Sequence, residues 1–590
     1  MSHEAFYTSG TWTDESLGVY VGWTSRSGSP FSSMPVCSET GGVTLVFSGE
    51  DFPDPGVARR LKQTGQESSK GRPSYLVRWY EEDPSFPKGL NGRFHGLVVD
   101  SRRGRVLLFN DRYGIHRLQY HDDGDAFYFS AEAKAIVAVQ PRLKRLSAKS
   151  LGEFIACGSA LENRTLFEGI EVMPPASAWE FENGALVKRG RYFDPREWEE
   201  QEPLDIESYH RAFQEAFILN LPKYFSGHEQ VAMSLTGGLD TRMIMACAKA
   251  APKSLPCYTF GSSLRDIQDV VVARAVASVC GQSHQTIRVG EEFLSRAPHY
   301  AVRAVYVGEG GADVGRAPDI YLNERARAIA PVRITGNFGG EVLRGVRAFK
   351  PEERTETLFC DDLHQHIRQT EQTYAALLHG HPTSFAVFKQ GPWYNYGIVA
   401  LEESQLSLRS PFLDNDIVRT VFRAPASALA SNEASLRLIA SGNEALSQIP
   451  TDRGLGGRQG RVREFASRVR LELLFKAEYA YDMGMPHWLA ALDHSLSALR
   501  IERLFLGRHK PFHFRVWYRD SLAQFVREVL LDPRSLSRPY LNKKRVEELV
   551  EGHLAGRRNY TNEIHKVLTL ELMNRLFLDD PECVHSSVGA

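Results

Sequence analysis

The chain of 590 residues is too long for one hydrophobic core, so two or more domains are expected. Its 71 Lys and Arg nearly balance its 72 Asp and Glu, which argues against a polyanion-binding surface spread over the whole molecule, and an apolar content of 42% is that of an ordinary globular protein. MSHEAFYTSG at the start has neither a basic stretch nor an apolar run, and no unbroken apolar run of about eighteen residues follows, so a cytoplasmic protein with no nucleic-acid or membrane partner is expected. The seven cysteines are scattered, with no C-x-x-C pair, and read mostly as buried thiols rather than zinc ligands.

Residues 1 to about 200 carry short apolar runs at Val43–Ser48, Phe94–Asp100, Val106–Asn110, Gln119–His121 and Ala126–Ser130, parted by turn pairs such as Arg103-Gly104 and Asp123-Gly124. Stacked antiparallel sheets are expected. Four motifs follow in order: Leu90-Asn91-Gly92-Arg93-Phe94, Asn110-Asp111-Arg112-Tyr113-Gly114-Ile115, Phe129-Ser130-Ala131-Glu132-Ala133-Lys134-Ala135 and Arg164-Thr165-Leu166-Phe167-Glu168-Gly169-Ile170. Together they resemble the glutamine amidotransferase domain of asparagine synthetases, which implies an N-terminal-nucleophile fold over residues 1–200. That family attacks glutamine with a cysteine at position 2. Here the position holds Ser2, no Arg-Gly-Pro-Asp segment precedes residue 60, and the family's Asn-Gly-Glu reads Ser48-Gly49-Glu50. A serine hydroxyl can replace a thiol in such chemistry, yet with these losses the domain is expected to be inactive as a glutaminase and kept as structure.

The acidic segment 196–208 reads as a linker, and Tyr209–Leu221 shows helical spacing. Next comes QVAMSLTGGLDTRMIMA, residues 230–246: an apolar strand to Leu235, a tight turn from Thr236 to Thr241, and a buried helix. Two glycines let backbone N–H groups approach an anion, and the helix start adds unpaired donors and a positive dipole end. The spacing is neither Walker A nor G-x-G-x-x-G. Further on, Leu255–Phe260 and His284–Val289 read as strands around a helix at Asp269–Cys280, so a parallel sheet is expected with the glycine turn at its ligand-binding edge. Val332–Gly345 reads as another strand opening into a glycine loop, and beyond residue 360 the pattern is mainly helical.

The turn resembles the Ser-Gly-Gly-x-Asp-Ser loop of ATP pyrophosphatases, with Thr236 and Thr241 keeping both hydroxyls. Thr335-Gly336-Asn337-Phe338-Gly339-Gly340-Glu341 resembles the family's second loop, S-G-x-G-x-D-E, except that Gly340 stands where an aspartate is usual. Arg409-Ser410-Pro411-Phe412-Leu413-Asp414 resembles R-x-P-F-L-D. At Ile449-Pro450-Thr451-Asp452-Arg453-Gly454 the family's lysine is missing, leaving Arg453 or Arg458 to hold negative charge.

Taken whole, the chain resembles an asparagine synthetase-like ligase of α+β then α/β class: stacked antiparallel sheets over 1–200, then a parallel-sheet ATP-pyrophosphatase domain over 205–590 with a largely helical C-terminal part. The resemblance implies ATP and Mg2+ as cofactors. It implies nucleotide contacts from Ser234, Leu235, Thr236, Gly237, Gly238, Leu239, Asp240, Thr241, Phe260, Thr335 and Gly336, catalytic roles for Asp240, Glu341 and Arg453, and a metal role for Asp240. A carboxylate would be adenylated and an amine would displace AMP. With the cysteine gone, the expected amine belongs to the substrate, as in the β-lactam synthetases and the lasso-peptide macrolactam cyclases, with a small-molecule or peptide acid as substrate and room for a precursor-peptide-binding protein or a homodimer. The alternatives are an asparagine-type enzyme using ammonia or glutamine on aspartate, a non-catalytic ATP-binding scaffold, and an RNA-thiolating enzyme, which the neutral charge disfavours.

Overall fold

The computed structural model describes residues 1–27, 29, 34–39, 41–54, 56–57, 74–352, 358–456, 461–486, 490, 493 and 501–579. It begins with a hairpin of β1 (Tyr7–Asp14) and β2 (Val19–Arg26), which the sequence reading did not anticipate. A six-stranded antiparallel sheet follows, built from β3 (Val36–Cys37), β4 (Val43–Asp51), β5 (Gly92–Asp100), β6 (Arg105–Asn110), β10 (Ser177–Glu182) and β11 (Ala185–Arg191) in the order β11-β10-β6-β5-β4-β3. A smaller sheet has the order β8-β7-β9, from β7 (Gln119–Asp122), β8 (Phe127–Ser130) and β9 (Glu171–Val172). Alternation in β5 and β6 explains the layering. Leu97, Val99, Val106 and Leu108 share one apolar cluster with Tyr120 of the small sheet, while Phe94, Val98, Leu107 and Phe109 face another with Leu76 and Val77 of the helix at Ser74–Glu82.

The second half is a parallel sheet, order β14-β13-β12-β15-β16, from β12 (Val231–Ser234), β13 (Cys257–Ser262), β14 (His284–Val289), β15 (Val332–Ile334) and β16 (Ser407–Arg409). Its helices cover both faces, as a parallel sheet requires. Beyond residue 360 the regular structure of the described chain is helical save for β16 and an isolated bridge from Leu541 back to Phe359, and Thr561–Met573 is buried at nearly every position.

Besides the clusters within the first half, two larger ones span both halves. One cluster joins Ile136, Phe154 and Phe167 to Phe293, Leu363 and Leu568, and another joins Tyr113, Ile115 and Phe193 to Phe217, Met243 and Phe388. The helix α2 (Ala148–Cys157) packs so closely on α8 (Asp361–Leu377) that a Cβ on Gly152 would meet His366 Cβ at 2.5 Å. The segment read as a linker is also packed: Trp198 is buried against Phe388 and Phe422, and Leu204 N donates to Arg423 O at 2.8 Å. Its acidic composition hid the one indole that anchors it. Cys157 and Cys257 are buried, Cys247, Cys280 and Cys360 half-buried and Cys37 exposed. No helix among the described residues is long and apolar enough to cross a membrane.

Candidate active site

At the carboxyl end of β12 the chain turns through Thr236, Gly237 and Gly238 into α4 (Leu239–Ala248). The two threonines lock this turn. Their hydroxyls lie 3.2 Å apart, Thr236 N donates to Thr241 Oγ1 at 3.3 Å, and Gly238 N donates to Thr236 Oγ1 at 3.3 Å. Leu235 N donates to Tyr258 O at 2.8 Å and fastens the turn to β13. Ser234 and Leu235 are buried beneath it.

Gly237 is required by crowding. A Cβ there would stand 2.6 Å from Asp452 Cβ and 2.9 Å from Asp269 Oδ1. Its amide, expected to serve phosphate, donates instead to Asp269 Oδ1 at 2.7 Å, and Asp452 N donates to Gly237 O at 3.1 Å. Donors for an anion are therefore those that open α4, at Leu239 and Asp240, where a helix leaves its first amides unpaired. Burial, reinforced by the charge of Asp452, pushes the Asp269 carboxyl up to about 6, and burial also raises Asp452. The Arg453 guanidinium lies 4.1 Å from the Phe475 ring centre and lowers both carboxyls in turn. Arg458 lies outside the described residues.

The second glycine loop lies directly on the first. A Cβ on Gly336 would come within 2.9 Å of Thr241 Cγ2 and N, and one on Gly339 within 2.5 Å of Asp240 Cγ. Thr335 is held from two sides: its N donates to Arg409 O at 3.0 Å, and its hydroxyl donates to Asn337 Oδ1 at 3.0 Å. Glu341, in α7 (Gly339–Arg344), takes a long contact from Asn395 Nδ2 at 3.4 Å, and its carboxyl is raised by burial and then by the charge of Asp240. Asp240 is raised by burial, and both of its carboxylate oxygens lie 3.0 Å from Arg344 Nη2. The structure thus brings together Ser234 to Thr241, Thr335, Gly336 and Glu341, with Arg453 at the rim. Phe260 stands apart: it packs on the opposite face of the sheet from α4, with Tyr258 and with Arg333, whose guanidinium carbon is 5.0 Å from the ring centre.

Beside the loops opens a cleft of about 1740 Å3, lined among others by Asp269, Asp313, Arg347, Asp452, Arg453 and Lys510. A second cavity of about 320 Å3 lies between the halves, where Met1 and His3 line the wall while Ser2 faces solvent. Sequence reasoning missed Asp269, Arg344 and the pairing role of Asp452. Asp269 carried a signal, an acid in the first turn of a helix beyond the second strand. Arg344 carried none, since its partner is 104 residues away.

The motifs of the first half fasten it to the second. Arg409 grips Glu50 with Nε 3.1 and 3.0 Å from its two oxygens, and Asn91 Nδ2 donates to Asp414 Oδ2 at 2.9 Å. Glu309 caps α1 (Ala133–Val139), accepting from Ala133 N at 2.9 Å and Lys134 N at 2.6 Å.

Residues 8–193 match the family model of a glutamine amidotransferase domain, and residues 224–394 with 504–575 match that of asparagine synthase. The chain is 26% identical to "Asparagine synthetase [glutamine-hydrolyzing] 3" of Bacillus subtilis (strain 168) over 35% of its own length and 33% of the relative's. It is 21% identical to "Asparagine synthetase [glutamine-hydrolyzing] 1" of the same organism, over 54% of this chain and 51% of the relative. The chain thus spans a third to about half the length of these curated relatives. A solved glutamine phosphoribosylpyrophosphate amidotransferase from B. subtilis overlaps 45% of this chain and 52% of its own at 12% identity with a TM-score of 0.19, too poor a superposition to carry weight. Two matched domains in this order make the chain a member of the asparagine synthetase-like family.

Proposed function

We propose that the protein is an ATP-dependent carbon–nitrogen ligase that transfers AMP to a substrate carboxylate, releases pyrophosphate, and joins the activated acid to an amine. The observation that carries this is the apposition of the two glycine loops, with Gly339 and Gly336 packed on Asp240 and Thr241 at the start of α4, while Gly237 of the same turn packs on Asp269 and Asp452 of the cleft wall. A carboxylate is a poor electrophile until one oxygen becomes a leaving group, and its mixed anhydride with AMP achieves this. The unpaired amides and dipole of α4 would offset charge on the departing pyrophosphate. Arg453, at the rim with Asp269 and Asp452, would hold the acid or its adenylate, since arginine stays protonated and serves as a fixed charge rather than a proton shuttle.

The amine is read as one carried by the substrate, as in macrolactam or β-lactam formation. Ser2 faces solvent, and Glu50 of the Ser48-Gly49-Glu50 segment is occupied by Arg409. A cleft of about 1740 Å3 also exceeds the few hundred to 1,000 Å3 common for small ligands, which favours a large or peptide acid. Free ammonia acting on aspartate is the second reading, supported by the asparagine synthetases among the relatives.

The test is acid-dependent exchange of labelled pyrophosphate into ATP, with aspartate, small carboxylated amino acids and linear peptides bearing an acidic side chain. Exchange with one class, abolished in Asp240→Ala, supports the reading. Nucleotide binding without cleavage across the panel refutes it in favour of a scaffold.

A further inference from the structure

The family implies magnesium, and Asp240 was the expected ligand. The donor set does not fit a resident ion. Both Asp240 oxygens are taken by Arg344 Nη2, the neighbouring acidic position is Gly340, and among the described residues no three His, Cys, Asp or Glu side chains gather to hold a metal.

What stands there instead is a guanidinium. Arg344 ends α7, and a Cβ on Gly340 would lie 3.4 Å from its Nη2, so an acidic side chain at 340 would press on the same cation. Its charge acts on Glu341 as well as on Asp240. Only one limb of the fork is used: Nη1 is buried and has no hydrogen-bond partner. A buried, unpaired donor on a charged group is costly unless a ligand satisfies it. It lies beside the carboxylate in the first turn of α4, where an anion would bind.

We propose that Arg344 is a phosphate-binding residue. Its Nη1 would donate to the β- or γ-phosphate of a nucleoside triphosphate, while Nη2 keeps Asp240 in place. The guanidinium thereby occupies the position between Asp240 and Glu341 where a divalent ion would otherwise bridge carboxylate and phosphate. Arginine suits this role because its planar fork pairs with carboxylate on one edge and phosphate on the other. Magnesium then arrives on the phosphates of the nucleotide rather than being gathered by the chain. This inference rests on the reading of the loop as a nucleotide site.

The experiment is calorimetric titration of the full chain with α,β-methylene-ATP, once with magnesium and once with EDTA. Wild type is expected to keep binding in EDTA within about tenfold of its value with magnesium. Arg344→Gln, which can still donate to Asp240, is expected to lose about 100-fold in EDTA. Arg344→Lys, which keeps the charge without the fork, should lie between and serves as the second variant if glutamine does not fold. Arg344→Lys or Arg344→Gln binding like wild type in EDTA overturns the inference alone. Wild type that binds the analogue only with magnesium also overturns it, whereas no binding under either condition overturns the nucleotide reading with it.

Discussion

Arg409 Nη2 lies 2.6 Å from Glu50 Oε1, and the same residue's carbonyl accepts the amide of Thr335 at 3.0 Å. One residue therefore ties the glutamine amidotransferase-like half, through its side chain, to the strand end from which the second glycine loop springs, through its carbonyl. The guanidinium also donates to Tyr224 O at 3.1 Å and Ser226 O at 2.8 Å, so it is fully engaged.

Glu50→Ala should therefore cost about 3 kcal/mol, near the low end for breaking a buried pair, because Arg409 keeps its two carbonyl acceptors. Urea denaturation measures it. A change below about 1 kcal/mol would show that the pair contributes little, as exposed pairs do.

Gly339→Ala introduces a Cβ 2.5 Å from Asp240 Cγ, where neither backbone nor ion-paired carboxylate can move away without breaking the Arg344 contact. Overpacking of this kind costs about 1–3 kcal/mol. The larger expected effect is on chemistry: pyrophosphate exchange should fall at least tenfold, by displacement of Asp240. Retained exchange would mean that the two loops separate during turnover.

The Asp269 carboxyl, raised to about 6 from an ordinary 3.8, binds its proton more tightly in the folded chain than in the unfolded one. Its contribution to stability is thus present at low pH and is lost as pH rises from about 4 to about 6. Asp269→Asn keeps an acceptor for Gly237 N and removes the charge. We expect it to stabilise the fold at pH 7.5 by on the order of 1–2 kcal/mol and to lose that advantage near pH 4, as read from melting curves at both pH values. Equal effects at the two would place the shift elsewhere.

Glu309 sits in the left-handed region at φ 50° and caps two amides of α1 across the boundary between the halves. Glu309→Ala loses the cap and keeps the strained backbone, at an expected cost of about 2 kcal/mol. Glu309→Gly relieves the strain and should recover about 0.5–1 kcal/mol of it, a difference that parallel denaturant titrations resolve.

Local chemistry was legible in the sequence wherever it depends on neighbours along the chain. The alternation of Phe94–Asp100, the apolar strand before Thr236 and the glycines at 237 and 238 each declare their own conformation, because pleat, helix period and positive dipole end are set within a few residues. The chain-order motifs likewise indicated both halves, which the family models match. Partnership across the fold was not legible. Glu50 and Arg409 are 359 residues apart, and Asp240 and Arg344 are 104 apart, so nothing in either neighbourhood shows that one charge will be neutralised by the other. Packing decided that the supposed linker is anchored by Trp198, that Phe260 turns to the far face of its sheet, and that the amide of Gly237 serves Asp269. The sequence determined which groups stand at the loop. Only close packing, which lets two backbones touch where glycine omits a Cβ, decided which of them remain available to a ligand.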